Sequence, residues 1–416
     1  MPYALGIDIG NTSVVAAVAH RRDGGWGRPE VVALGPGSAR LSSARLLSAL
    51  LSPESAVTPG DEGDADCAVQ NVLSRVGDDV QAVLHGVPYP PQTLVALLAA
   101  DVVERVRQAT GATAEAIVFS HPAGWGRHRR ELLRRALWER GVGEVTLLPR
   151  TITVAEGHAA RGVEGDLVAV YALGGATFET ALVRRNSRGR FETVGVPQGL
   201  PGLGGTYFDE ALAEHVRIVL ARELAATGAA ARATLRALPI SCEQAKQRLT
   251  VDPTADVELC LPTGPVRVPV TRLQFEELIR PAVRATVESL LCVVHAAGLT
   301  PSRLDGVLLT GGASRVPLVA ELLAAAGLSV ETAPDPQVTD ALGAAVAAAE
   351  ILMPRPLPAG PPAVAAGVAR AAAAPQPPPR DDRPRDEPPP RPPVRFTPLD
   401  LPKSRRRLAR SRGREG

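Results

Sequence analysis

The segment DLVAVYALGGATFETALV, residues 166–183, consists of two apolar, β-rich runs joined by the glycine pair Gly174–Gly175. A strand, a tight glycine turn and a second strand let a backbone approach a phosphate closely, because glycine has no side chain to hold the ligand away. A phosphate site of this sort needs a nearby carboxylate to hold its metal. Two residues before the first glycine, where that carboxylate is expected, the chain has Ala172. The segment raises two questions: whether the protein binds a nucleotide, and whether it acts on one.

The same pattern occurs near the start of the chain. GIDIGNTSVVAAV, residues 6–18, again predicts a strand, a glycine turn and a strand, and alignment of Gly10 with Gly174 places Asp8 opposite Ala172. Two distant copies of one hairpin predict two similar lobes that face each other across a cleft. From the residues alone, Asp8 either holds a hydrated Mg²⁺ through water or caps a turn at the end of its strand.

Strand-like and helical patterns alternate up to about residue 352, which predicts an α/β fold with mixed sheets in two lobes, 1–165 and 166–352. The predicted strands are 3–9, 14–19, 115–120, 167–173, 177–183 and 304–310. The predicted helices are 94–109, 127–140, 207–223, 275–298, 316–326 and 339–352. Thr271 and Gln274 have the spacing of a capping box at the start of the fourth helix.

Residues 353–416 are low in complexity and rich in Pro, Arg and Ala, which predicts a disordered tail. From Pro354 onward the chain has 14 Lys and Arg against 6 Asp and Glu, whereas the rest has 32 against 38. The basic tail either keeps the chain in solution or binds a protein partner or an anionic surface. Binding of nucleic acid stays open, although no aromatic residues interleave the basic cluster at 403–416.

The N-terminal residues lack the basic region of a signal peptide, and no apolar run reaches the ~18 residues of a membrane-spanning helix. The four cysteines are scattered, without the paired spacing of a metal site. We therefore expect a cytoplasmic protein.

Two further motifs have both a structural and a functional interpretation. In LDGVLLTGGASRVPLVAELL, residues 304–323, Gly311–Gly312 precedes a helix and forms either a packing turn or a site for a base and ribose. In SCEQAKQRLT, residues 241–250, Glu243 and Lys246 form either an i, i+3 ion pair or a contact to a ribose hydroxyl. Lys246 is one of two lysines in an Arg-rich chain, which favours a specific role.

In their order, the segments GIDIGNTSV, VFSHPAGWGRHRRELL, VYALGGATFETALV, GLPGLGGTYFDEAL, CEQAKQRL, TRLQFEELIRP and LLTGGASRVPLV resemble the motifs of the heat shock protein 70 (DnaK-type) chaperone family. The resemblance covers residues 3–352, the nucleotide-binding domain. It implies the actin-like (ribonuclease H-like) fold of two lobes, with ATP or ADP and Mg²⁺ in the cleft.

The resemblance also assigns roles to individual residues. It implies phosphate contacts from Gly10, Asn11, Thr12, Gly174, Gly175, Ala176, Gly204 and Gly205. It implies adenosine contacts from Glu243, Lys246, Gly311, Gly312, Ser314 and Arg315. Metal binding then falls to Asp8, and the remaining catalytic positions are Thr177 and Glu179.

Four departures from the family pattern concern catalysis. Ala172 replaces an Asp, Glu179 replaces a second Asp, the catalytic Lys falls near Leu73, and a Glu falls on Arg150. Loss of one positioned catalytic group typically costs ~10²–10⁴ in rate. We expect Arg150 to contact a phosphate and to supply part of the lost positive charge. The sequence therefore predicts nucleotide binding with slow or absent turnover.

The family's peptide-binding β-sandwich is expected to be lacking here, with the tail following the nucleotide-binding domain instead. The favoured hypothesis is a chaperone-like scaffold or switch controlled by the bound nucleotide. The alternative is an active chaperone-type ATPase whose metal is held by Asp8 and Glu179. A small-molecule kinase of the same superfamily and a filament-forming actin relative are less favoured, since no further Asp suits a kinase base.

Overall fold

The computed structural model describes residues 1–35, 38–51, 71–84, 86–227 and 232–353. The tail predicted over 353–416 lies outside the described residues from position 354 onward.

The described chain contains two large sheets and two small hairpin sheets. The strands of the first sheet are β1 (Tyr3–Ile9), β2 (Ser13–Arg22), β3 (Gly25–Trp26), β4 (Glu30–Val31), β5 (Arg40–Ser42), β8 (Ala114–His121) and β9 (Thr146–Pro149). Those of the second are β10 (Leu167–Leu173), β11 (Thr177–Arg185), β12 (Phe191–Pro201), β15 (Gly306–Thr310) and β16 (Val330–Thr332). The hairpins are β6 (Ala82–Leu84) with β7 (Val87–Tyr89), and β13 (Thr254–Leu261) with β14 (Gly264–Thr271).

Most helices of the described residues pack on the two large sheets, and the helix over 232–249 packs on the β13–β14 hairpin. The helices are α1 (Ser43–Leu51), α2 (Pro91–Thr110), α3 (Arg127–Glu139), α4 (Arg150–Ala159), α5 (Gly205–Val219), α6 (Ala221–Thr227), α7 (Arg232–Leu249), α8 (Arg272–Ala296), α9 (Pro317–Ala325) and α10 (Thr339–Leu352). All six predicted strands and all six predicted helical regions are present, although the region predicted over 207–223 is divided between α5 and α6.

The two large sheets share one plan. In each, a central strand pairs antiparallel with the next strand in the chain and parallel with a later one: β1 with β2 and β8, and β10 with β11 and β15. Central strands of this kind are buried on both faces, so their sequences read as nearly continuous apolar runs. LVAVYAL in β10 is such a run, and every residue after Leu167 is buried. The two-lobed α/β prediction is confirmed.

The long helix α8 begins where the sequence predicts. The Thr271 side chain accepts a hydrogen bond from the Gln274 backbone N–H at 3.2 Å, and the Gln274 side chain accepts one from the Thr271 N–H at 2.9 Å. Both interactions of a capping box are therefore formed. They fix the start of a helix whose buried face packs on the second sheet.

Helices α4 and α10 cross between the sheets. Val154 and Ala155 of α4 pack with residues of the second sheet, whereas Ala344 and Ala348 of α10 pack with residues of the first. The helix over 339–352, grouped by sequence with the second lobe, thus contacts the first sheet. The lobe boundary at residue 165 stays a prediction.

Within the ranges that the structure describes, no helix is both long enough and apolar enough to cross a membrane.

Candidate functional site

The two predicted glycine hairpins have the same turn. In the first glycine turn (residues 10–13) the Gly10 N–H donates to the Ser13 carbonyl at 2.8 Å. In the second glycine turn (residues 174–177) the Gly174 N–H donates to the Thr177 carbonyl at 3.0 Å. Both hairpins close the same number of residues with the same bond, which supports the alignment made from sequence.

The strand registers extend this equivalence to the acidic positions. Asp8 lies opposite Val15 across the first hairpin, and Ala172 lies opposite Glu179 across the second. Each hairpin therefore carries one carboxylate near its turn, on the first strand in one copy and on the second strand in the other.

The two glycine turns meet. A Cβ atom added to Gly175 would overlap the side chain of Thr12, so only glycine permits this approach. The two turns, one from each sheet, therefore lie in contact.

A third glycine segment closes on the second turn. The Gly205 N–H donates to the Gly174 carbonyl at 2.9 Å, and the Thr206 N–H donates to the Gly175 carbonyl at 2.7 Å. A Cβ on Gly204 would lie 2.7 Å from the Gly174 carbonyl oxygen. Helix α5 begins at Gly205 without a side-chain cap, so the positive end of its dipole lies beside the second glycine turn.

Lys246 reaches this segment from helix α7. Its ammonium lies 2.7 Å from the Asp209 carboxylate and 3.0 Å from the Gly205 carbonyl oxygen. The expected ion pair with Glu243 is not formed, because Glu243 points to solvent and accepts from Gln247 at 3.2 Å instead. Lys246 thus lies next to the start of α5 and close to the second glycine turn.

The loop after β15 completes the arrangement. Gly311 has a φ of +89°, and a Cβ there would collide with the carbonyl group of Leu173, just before the second glycine turn. Ser314 is buried and donates to the Gly311 carbonyl at 2.7 Å, while the Arg315 side chain is exposed. A Cβ on the neighbouring Gly312 would overlap the side chain of Gln337. The loop is held tightly against β10, which accounts for Gly311 as a packing turn, and the contact with a base and ribose stays a prediction.

Asn11 connects the first glycine turn to the segment in which the catalytic lysine was expected. Its side-chain oxygen accepts from the Ser74 N–H at 3.0 Å, and its side-chain amide donates to the Ser74 hydroxyl at 2.7 Å. Leu73, which takes the expected place of the lysine, is buried in the hydrophobic core. The segment lies near the cleft, but this position offers no charge.

Arg150 is the centre of the polar site. From the first turn of α4 its guanidinium donates to Asp8 at 3.0 Å and to Asp340 at 2.8 Å, and it lies 3.8 Å from Glu179. These three acids, which we call the carboxylate cluster, come from β1, α10 and β11. The structure thus shows Arg150 bound to acids of the chain, where the sequence predicted a phosphate contact.

Further hydrogen bonds fix the carboxylate cluster. The Ser120 hydroxyl lies 3.2 Å from Asp8 and 3.0 Å from Asp340, and the Thr153 hydroxyl donates to Asp340. The Ala123 N–H donates to Glu179 at 2.9 Å. The Asp340 side chain is only 3% exposed and that of Arg150 15%. The acids are therefore held in place around the guanidinium.

Burial shapes the charges of the cluster. It lowers the pKa of Arg150, but the charges of Asp8, Asp340 and Glu179 outweigh that effect and leave the pKa raised. Burial raises the pKa of Glu179 and of Asp340, and the charge of Arg150 opposes the rise in both. Arg150 thus stays charged at any physiological pH, and its charge opposes the burial that favours the neutral forms of Glu179 and Asp340.

We tested whether these residues fit a protein-bound Mg²⁺. Mg²⁺ prefers oxygen ligands in octahedral geometry. Here one carboxylate oxygen of Asp8 and one of Asp340 already accept from Arg150, and Ala172 contributes none. Among residues 1–35, 38–51, 71–84, 86–227 and 232–353, no group of three or more His, Cys, Asp or Glu is arranged to hold a metal ion. The donor set fits a guanidinium and does not fit a metal ion bound directly by the protein.

Several residues of the site were not identified from the sequence. Asp340, Ser120 and Asp209 each contact a site residue, yet the sequence analysis assigned no role to any of them. The segment TDALGAAV, residues 339–346, offered one signal. Asp340 is an acid in the first turn of an otherwise apolar helix, a position where a carboxylate interacts favourably with the helix dipole.

Asp209 leads to a prediction about pH. Burial raises the pKa of its carboxyl from 3.8 to about 6, although the Lys246 charge opposes the rise. Between pH 4 and 6 Asp209 stays protonated in the folded chain but is ionised in the unfolded chain. Binding of this proton stabilises the folded state at pH 4, and the stabilisation is lost as the pH rises through 6. From pH 4.5 to pH 7 we expect the free energy of unfolding of Asp209→Asn to increase by about 2 kcal/mol relative to wild type.

Urea unfolding of both proteins at the two pH values measures that difference. All other titrating groups are shared and cancel in the comparison. A difference between wild type and variant that does not change with pH would contradict the raised pKa.

Comparisons with known proteins agree with the geometry. The family model described as Hsp70 protein matches residues 67–357. The chaperone protein HscA homolog of Bordetella pertussis is 31% identical over 380 residues, which is 83% of this chain and 57% of that protein. The HscA homologs of Shewanella putrefaciens and Shewanella oneidensis are 27% and 28% identical, over 83% of this chain and 58% of their own lengths.

The chain therefore spans less than two thirds of the length of these relatives. The family match covers more than half of this chain, and it includes the second glycine turn, Lys246 and the loop at Gly311. With the paired glycine hairpins and the two similar sheets, it shows that the chain belongs to the Hsp70 family.

Proposed function

We propose that this chain binds ATP or ADP in the cleft between its two glycine turns, hydrolyses ATP slowly or not at all, and acts as a nucleotide-dependent chaperone-like scaffold or switch. The observation that carries the proposal is the convergence of the two turns, with Gly175 packed on Thr12 and a guanidinium among the nearby acids. The first feature favours binding, and the second opposes turnover.

The binding part rests on backbone donors and on Lys246. The two glycine turns and the positive end of the α5 dipole lie side by side, which suits a polyphosphate. In this proposal Gly10, Asn11, Thr12, Gly174, Gly175, Ala176, Gly204 and Gly205 line the phosphates. The adenosine lies against Glu243, Lys246, Gly311, Gly312, Ser314 and Arg315.

The turnover part rests on charge. Phosphoryl transfer depends on groups that neutralise the charge developing on the phosphates and position the attacking water. Leu73 supplies no charge, Ala172 supplies no carboxylate, and Glu179 lies beside Arg150 and the Ala123 N–H. These losses are not additive, because one absent group already disables a constellation that acts as a unit.

An active chaperone-type ATPase is the second candidate. Glu179 still has its carboxylate near the second glycine turn, and with Thr177 it is the remaining catalytic pair in that scheme. The relatives carry the name chaperone, and assistance to protein folding comes to this chain only by analogy with them.

Single-turnover release of γ-phosphate from ATP, with calorimetry of ATP and ADP binding, tests the proposal on the full chain. We expect measurable binding and γ-phosphate release at least ~10²-fold slower than that of a hydrolysing Hsp70 under the same conditions. Release at a comparable rate would establish the ATPase alternative, and absence of binding by both nucleotides would refute both candidates.

The contribution of Lys246 gives a second test. We expect Lys246→Ala to weaken binding of ATP about tenfold, the effect of losing one charged contact of about 1.4 kcal/mol. The matched control is Arg248→Ala, which removes an exposed cation from the same helix. Equal effects of the two substitutions, measured by calorimetry, would remove Lys246 from the site.

The setting of this activity is also part of the proposal. We place the chain in the cytoplasm and assign its basic tail, residues 353–416, to a protein partner or an anionic surface. The metal role of Asp8 stays a prediction.

A further inference from the structure

We propose that Arg150 takes the place of the divalent cation in this cleft, so that the chain binds nucleoside triphosphate without Mg²⁺. The proposal rests on the nucleotide binding proposed above and adds that the bound triphosphate carries no Mg²⁺.

The geometry around Arg150 is the first argument. Carboxylates from three separate elements, Asp8, Glu179 and Asp340, lie within 3.8 Å of one guanidinium. A guanidinium has five N–H donors in a fixed plane and stays charged, so it can hold several carboxylates at once as a small cation does. The two closest contacts, 2.8 and 3.0 Å, have the length of charge-assisted hydrogen bonds.

Arg150 is also fixed in its place. It stands in the first turn of α4, directly after β9, and its side chain is largely buried. Asp340 is held from the other side by the hydroxyls of Ser120 and Thr153. A metal ion at Asp8 would have to displace the guanidinium, and a buried guanidinium without its acids is strongly unfavourable.

The number of acids also favours a guanidinium. At Ala172, opposite Glu179 in the hairpin, the chain has a methyl group. The cluster is therefore smaller by one acid than a set with aspartate at this position. A single fixed positive charge suits such a cluster better than a divalent ion does.

The phosphate side of the cleft agrees. The positive end of helix α5 and the Lys246 ammonium lie beside the second glycine turn. Groups of this kind attract anions directly and require no bridging metal. A metal-free triphosphate therefore finds positive charge beside this turn, while Arg150 offsets part of the negative charge of the carboxylate cluster.

The test is the affinity of the full chain for ATP, measured by calorimetry in EDTA and again in excess Mg²⁺. We expect the two dissociation constants to agree within threefold. A loss of tenfold or more in EDTA would overturn the inference and leave the proposed nucleotide binding intact. Absence of binding under both conditions would overturn the proposed function itself, so the two failures are distinguishable.

Variants make the test specific to the cluster. We expect Arg150→Glu to weaken binding of ATP in EDTA at least tenfold and to make binding depend on Mg²⁺. Ala172→Asp serves as a second variant if Arg150→Glu does not fold, with the same direction of change. Unchanged Mg²⁺ dependence in a folded variant would contradict the role of the cluster.

A direct metal measurement completes the design. Mn²⁺ binding without nucleotide, followed by electron paramagnetic resonance, is expected for Arg150→Glu or Ala172→Asp and not for wild type. Tight Mn²⁺ binding by the wild-type chain would restore Asp8 as a metal ligand and overturn the inference.

Discussion

Replacement of Arg150 by methionine is expected to lower the free energy of unfolding by about 3–5 kcal/mol, the usual cost of removing one partner from a buried ion pair. The methionine fills much of the same volume but provides no charge and no N–H donors. Asp8 and Glu179 would then lose their cation, and Asp340, only 3% exposed, would keep hydroxyl donors alone. The cost arises from carboxylates left buried without compensation, since the native pairing itself contributes little net free energy.

Urea unfolding of wild type, Arg150→Met and Arg150→Lys measures this effect. Lysine retains the charge of arginine but not its planar set of N–H donors. The free energy of unfolding of Arg150→Lys is therefore expected to lie between those of wild type and Arg150→Met. The control is Arg135→Met, which breaks the ion pair with Glu139 on an exposed helix face and is expected to cost less than about 0.5 kcal/mol. Equal losses at positions 150 and 135 would show that the cluster is no more than a surface network.

Mg²⁺ gives the same experiment a functional readout. We expect millimolar Mg²⁺ to shift the unfolding midpoint of Arg150→Met upward, because a cation that binds only the folded state stabilises it. The wild-type midpoint is expected to stay where it is. A shift of equal size in wild type would argue that the cluster holds a metal ion despite Arg150.

The hairpins and the fold were predictable from sequence because their signals are local. In β10 the apolar run, the glycine pair and the second run follow one another without interruption, and each part has one physical meaning. Repetition of the pattern in β1 and β2 added the second lobe. The capping box at Thr271 was likewise predictable, since it depends on a spacing of three residues.

The carboxylate cluster could not be predicted in this way. Arg150 and Asp340 are 190 residues apart, and they meet only because α4 and α10 cross. Lys246 shows the same limit, since its partner Asp209 lies on another helix, 37 residues away. The spacing within one helix suggested Glu243 as the ion-pair partner of Lys246, whereas in the packed structure Lys246 contacts Asp209. Charges without a local pattern acquire partners only through the packing of whole elements.

Replacement of Gly343 by alanine is expected to destabilise the chain by about 3 kcal/mol, the upper part of the range for overpacking a core. Alanine is normally favoured over glycine inside a helix by ~1 kcal/mol, so helix propensity alone predicts a gain in stability. At the crossing of α4 and α10, however, the new Cβ would overlap the Thr153 carbonyl group and the Gly157 backbone nitrogen. Backbone atoms cannot rotate away, so the helices themselves must separate.

Separation of these helices also displaces the site. Thr153 and Asp340 lie on opposite sides of the crossing and share a hydrogen bond, so any added spacing loosens Asp340 from Arg150. We therefore expect Gly343→Ala to weaken ATP binding as well as stability, measured by calorimetry and urea unfolding.

The control for this substitution is Gly124→Ala. No atom lies within 4 Å of a Cβ added at Gly124, and its φ is outside the left-handed range, so a change below about 0.5 kcal/mol is expected. If Gly343→Ala proved as stable as this control, the close backbone contact between α4 and α10 at Gly343 would be contradicted. Because α4 packs on one sheet and α10 on the other, that result would also remove the fixed crossing that brings Arg150 and Asp340 together.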